Sequence, residues 1–130
     1  MSKNKTKNIF SKLKETLLRS GYEVVLTEKL GRTEPMPILR FRRAKGYIAP
    51  DQMKIYINQN IGVNDRVITL IHELLHEICP EWTEPKVERE SKNTFKDLTV
   101  PQLGFLQFFV MTKPELRAAL KAHHSRSPIC

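Results

Sequence analysis

The stretch from Val63 to Pro80, VNDRVITLIHELLHEICP, is apolar on most sides of a helix and yet carries His72, Glu73 and His76 at its middle. A helix at a protein surface keeps one broad polar face. Here Val67, Ile68, Leu70, Ile71, Leu74, Leu75 and Ile78 leave little room for one. Such a helix is stable only at the centre of a fold, with other elements packed around it. Asn64 or Asp65 is placed to cap it, and Pro80 to close it after Ile78. Two imidazoles and a carboxyl in so apolar a setting need partners, so any fold of this chain must bring polar groups to the middle of that helix.

The remaining segments supply the surrounding layers. Ile9, Phe10, Leu13, Leu17 and Leu18 recur at helical spacing and Gly21 follows as a stop, which predicts an amphipathic helix over 8–20 lying on a sheet. Tyr22–Thr27 is rich in β-branched residues and Ile38–Arg42 alternates apolar with basic side chains, so both read as strands, with a loop over Gly31–Pro37. Tyr47–Ala49 and Met53–Ile57 flank Pro50-Asp51-Gln52 as a hairpin, the second strand half buried through Met53, Ile55 and Ile57. Thr83 can cap a helix with Pro85 in its first turn and a less polar face of Val87, Ser91, Phe95 and Leu98, ended by Pro101.

Leu103–Met111 is apolar enough for helix or strand, with helix favoured, and Thr112 with Pro114 and Glu115 opens a last amphipathic helix. Met1–Lys7 and His123–Cys130 read as tails. The whole is an α+β pattern: a small antiparallel or mixed sheet packed on an N-terminal and a central helix, then a glutamate-bearing helix and C-terminal helices.

Length and composition narrow the class. A chain of 130 residues supports one core, so 1–130 is expected to be a single domain. Its 40% hydrophobic and 28% charged residues match a globular protein, and no apolar run reaches spanning length. The polar, basic N-terminus does not resemble a secretory signal, which points to the cytoplasm. Cys79 and Cys130 are too few for a disulfide framework and read as free thiols, Cys79 as a small apolar residue at a helix end. A formal charge of +8 favours acidic partners, with clusters at Lys3, Lys5 and Lys7, at Arg40, Arg42, Arg43 and Lys45, and at Lys121 and Arg126. No nucleic-acid-binding motif accompanies them, so solvated surface is the plainer reading and a weak nucleic-acid association the alternative.

On a helix, histidines four residues apart project from one face a turn apart, so His72 and His76 can offer imidazole nitrogens to one ion. Glu73 lies close enough to that face to take a proton from a water that the ion activates. A zinc ion in such a site polarises a scissile carbonyl and lowers the pKa of its water to about 7. Glu73 would then pass the proton to the leaving amine.

Catalytic zinc usually has three protein ligands, and the only later histidines, His123 and His124, fall in the tail. The third is therefore sought among Glu77, Glu81, Glu84, Glu88 and Glu90. Helical phase sets Glu88 beside Ser91 and Phe95, on the face expected to point inward, and turns Glu90 away. Glu77 is turned from the histidine edge, and Glu81 and Glu84, in the turn and at the helix start, read as surface charge.

His72-Glu-Leu-Leu-His76 with Cys79-Pro80-Glu81 and Val87-Glu88-Arg89 resembles the zincin metallopeptidases that use a glutamate as third ligand. Small gluzincins and phage-type or ImmA/IrrE-like zincin domains are the nearest likeness, over about Met53–Pro101. The resemblance implies His72, His76 and Glu88 as zinc ligands, Glu73 as general base, and a protein or peptide substrate paired along the Met53–Asn58 strand. Gluzincins commonly carry an aspartate four residues after the ligand glutamate. Here that position is Lys92, and the interval from His76 to Glu88 is a short twelve residues, which keeps Glu90 as a fallback. Trp82 can either wall the cleft or pack. The expected function is a zinc-dependent metallopeptidase; the alternative is a catalytically silent, metal-stabilised regulatory or nucleic-acid-binding module.

Overall fold

A computed structural model describes residues 2–28 and 45–126. Their elements run α1 (Ser2–Arg19), β1 (Glu23–Thr27), β2 (Gly46–Ala49), β3 (Lys54–Asn58), α2 (Val63–Ile78), α3 (Glu84–Asp97), α4 (Val100–Val110) and α5 (Lys113–Arg126). The expected strand at Ile38–Arg42 and loop at Gly31–Pro37 lie outside the described residues. Among the described residues no helix is long and apolar enough to cross a membrane.

Helix α1 begins at Ser2 rather than Asn8, so the basic segment expected as a tail is its first turns. It stops where Gly21 adopts φ +87°, a left-handed conformation that costs glycine little. At the other end α5 runs on to Arg126, absorbing part of the expected C-terminal tail.

The sheet is mixed and ordered β1-β3-β2, with β3 parallel to β1 and antiparallel to β2. β2 and β3 form the expected hairpin. Met53 belongs to its turn, not to the strand, and holds φ 56° there. Ile55 and Ile57 are fully buried and join Leu70, Ile71, Leu74 and Leu75 of α2 in one core. Burying side chains of this size contributes roughly 1.5–3 kcal/mol each, which holds α2 at the centre of the fold as its apolar circumference requires.

Neither Asn64 nor Asp65 caps α2; Gly62 occupies that position without a side-chain bond. The buried Arg66 guanidinium reaches back to the Ile61 and Gln59 carbonyls, tying the preceding loop to the helix.

α3 is capped by Thr83, whose hydroxyl accepts from the Lys86 amide, with Pro85 in the first turn as expected. It ends at Asp97, before Pro101. That proline instead sits in the first turn of α4, behind a capping box of Thr99 and Gln102. α3 packs on both α1 and α2, and its buried residues are Val87, Glu90, Ser91 and Thr94. Glu90 is thus buried and Glu88 exposed, the reverse of the expected inward face.

Candidate metal centre

His72 and His76 emerge from one side of α2 with their Nε2 atoms 3.1 Å apart. The first turn of α3 faces them. Glu84 Oε1 lies 2.7 Å from His72 Nε2, and its Oε2 lies 3.0 Å from His76 Nε2. Donor atoms of His72, His76 and Glu84 all fall within 4.8 Å of one another. A tetrahedral ion with ligands at about 2.0–2.1 Å separates neighbouring donors by about 3.3 Å. The observed spacings, 2.7–3.1 Å with Glu84 using both oxygens, lie just inside that edge, so the three side chains could hold one small divalent cation by moving apart a few tenths of an ångström.

Of the expected site residues, the structure brings together His72, His76 and Glu73, and it sets Glu84 on the imidazole nitrogens that the pair shares. Glu88 stands one turn further along α3, and its Oε2 lies 3.2 Å from the opposite ring nitrogen, Nδ1 of His72. Its other oxygen meets Lys92 Nζ at 3.1 Å. That hydrogen bond from Lys92 is the main reason its carboxyl titrates below the ordinary range; partial burial opposes it, and the charges of His72, Lys92 and Lys45 add to it. Glu90, the fallback, is buried elsewhere on α3 and does not join the cluster.

Glu73 sits at the base of a cleft of about 680 Å³ whose walls are β2, α2 and α3. Burial pushes its carboxyl up to about 8; the negative charge of Glu84 adds to the rise, and a hydrogen bond from the Ile48 backbone opposes it. A cation among His72, His76 and Glu84 would cancel the second cause and stabilise the ionised form. β2 approaches α2 so closely here that a Cβ on Gly46 would strike the Thr69 methyl and stand 3.5 Å from Glu73 Cγ. Glycine at that position is what lets the strand edge reach the carboxyl.

The cleft wall is β2, not the Met53–Asn58 strand expected to line it. β3 has a neighbour on each side and no edge to offer. Asn58 N–H donates to the Lys45 carbonyl at 2.7 Å, and the antiparallel alternation that follows turns the backbone of Gly46 and Ile48 outward, toward the cleft. Trp82 does not wall this cleft. It packs on the core with Lys86 Nζ 4.5 Å above its ring, beside a separate shallow groove that includes Cys79. Cys79 caps α2, and its thiol is pushed up by burial, as expected of an unreactive packing residue.

Sequence reasoning passed over Glu84. The available signal was its i, i+4 relation to Glu88 at the start of a Thr83-capped helix, which stacks both carboxylates on one edge. No protein-family model, no curated protein and no solved structure matches this chain.

Proposed function

We propose that the chain is a zinc-dependent metallopeptidase of the zincin kind, in which His72, His76 and Glu84 hold the ion and Glu73 is the general base. One observation carries the reading: three donors converge at metal-ligand spacing with a buried carboxyl beside them at the base of an open cleft. The ion, when bound, supplies a Lewis acid and a water acidic enough to lose a proton near neutral pH. Glu73, so placed, would take a proton from the attacking water and return it to the leaving amine. The Ile48 amide, which donates to Glu73, keeps the carboxylate aimed between strand and helix.

In this reading Glu88 is a positioning residue. It accepts from His72 Nδ1, which fixes the tautomer that presents Nε2 to the ion. Counted from Glu84, the residue four positions on is Glu88, an acid where the gluzincin pattern has one; the interval from His76 shortens to eight residues. The outward backbone of Gly46 and the Ile48 carbonyl suit an extended peptide laid along β2.

The test is metal content and hydrolysis measured on the same preparations. Wild type should bind one zinc and cleave an unstructured protein such as casein. Glu73→Gln should keep the zinc and lose roughly 10²- to 10⁴-fold in turnover. A variant as active as wild type, or a folded wild type that holds no zinc, would overturn the proposal.

A further inference from the structure

The charges around the cleft are unevenly matched. Lys92, on the α3 wall, is spent on Glu88 at 3.1 Å. Lys45 lines the opposite wall at the start of β2, and its field also reaches Glu88. Its backbone is anchored by the Asn58 amide at 2.7 Å, so the side chain is rooted at the cleft mouth. Among the described residues no carboxylate comes within ion-pair distance of it. Within the cleft Glu84 is engaged with the histidines, and Asp65, seven residues before His72 on α2, lies roughly 10 Å along the helix from the donors.

We infer that Lys45 makes the cleft selective for substrates with an aspartate or glutamate seated beside the start of β2. An acidic side chain there completes the ion pair that the described residues leave open, while a basic one meets the like charge of Lys45. Asp65 on the α2 wall repels the same acidic group and confines it to the Lys45 side. The inference rests on the reading of the cleft as a peptide site, and it adds the substrate class.

The experiment walks a single Asp, or a single Lys, through each position of an otherwise neutral fluorescent peptide. Binding is read with zinc-loaded Glu73→Gln, by anisotropy, and cleavage with zinc-loaded wild type. At one position the Asp peptide should exceed its Lys counterpart by about three- to tenfold in affinity and in kcat/KM. The ratio should shrink in 0.5 M salt and invert in Lys45→Glu. It should persist in Lys113→Glu, which carries the same charge change outside the cleft.

Cleavage with no charge preference, or a preference that Lys45→Glu leaves in place, overturns the selectivity and spares the peptidase. A binding preference that inverts in Lys45→Glu, without cleavage by wild type, supports the selectivity and removes the peptidase. Neither binding nor cleavage of any peptide removes both.

Discussion

Helix α2 carries a polar cluster at each end of its buried length, and the two are built on opposite principles. At the N-terminal end all five N–H groups of Arg66 are engaged. Nε donates to the Ile61 carbonyl, Nη1 to the Val110 carbonyl and Glu115, and Nη2 to the Gln59 carbonyl and Glu115, at 2.7–3.1 Å. Glu115 in turn accepts from the Thr112 amide while its own amide donates to the Thr112 hydroxyl, a capping box at the start of α5. Nothing in that network asks for another atom. Two turns on, His72 and His76 point nitrogens at each other across 3.1 Å with a carboxylate astride them. Nitrogens so placed share either one ring's proton or a cation in its stead. A cluster closed by fixed donors fastens a fold; one of the same residue classes that closes through an exchangeable proton can take an ion in its place.

If that distinction is right, the two ends answer differently to truncation. Arg66→Ala strips three carbonyls and a carboxylate of their donor and should cost about 3 kcal/mol in urea unfolding, with zinc stoichiometry unchanged in the folded protein. Glu84→Ala should behave in the opposite way. Its side chain is 66% exposed, so the cation-free protein should lose no more than about 0.5 kcal/mol. What it should lose is the stabilisation that zinc would confer on wild type in the proposed reading, about 2.7 kcal/mol at a hundredfold excess over Kd. Equal destabilisation of the two variants without zinc would erase the contrast.

The same contrast separates what was legible in the sequence from what was not. His72, Glu73 and His76 lie within one helical turn, so their mutual geometry is a property of the helix alone. The apolar circumference of α2 announced its central place for the same reason. Glu84 depends on how the turn over 79–83 swings α3 back across α2, and no local rule sets that direction. Helical phase misjudged Glu90 because the expected face was centred toward Phe95, whereas α3, packed against α1 and α2, buries the arc of Val87, Glu90, Ser91 and Thr94 and leaves Phe95 half-buried. Pro101 was misread as a stop because proline serves equally in a first turn. The Thr99-x-x-Gln102 spacing that decides between the two was present in the sequence. The pairing of β1 with β3 links strands far apart in the chain, beyond the reach of alternation patterns.

A smaller effect sharpens the description of the open cluster. With Glu88 holding Nδ1 of His72 rather than the ion, Glu88→Ala should weaken zinc binding by about ten- to a hundredfold without abolishing it. Glu90→Ala should leave zinc affinity as it is, whatever it does to stability. Competition with a chromogenic chelator reads both. Complete loss of zinc in Glu88→Ala with retention in Glu84→Ala would exchange the roles of the two glutamates.

The smallest effect concerns the closed cluster and its dependence on pH. Hydrogen bonding from Arg66, then the Thr112 amide, holds the Glu115 carboxyl down to about 2, against an ordinary 4.5. A carboxyl held low in the folded state binds fewer protons there than in the unfolded chain, so it stabilises the fold above pH 4.5, and that contribution drains away as the pH falls toward 2. Because the side chain is 34% exposed, solvent screening limits the contribution to about 1 kcal/mol or less. Glu115→Gln should therefore be slightly less stable than wild type at pH 6, with the gap narrowing through pH 4 and nearly closed by pH 2.5. In 0.5 M salt the gap at pH 6 should also shrink. A gap of constant size across that range would mean that the carboxyl acts through its shape and hydrogen bonds alone, and the pairing with Arg66 would carry no charge-dependent stability.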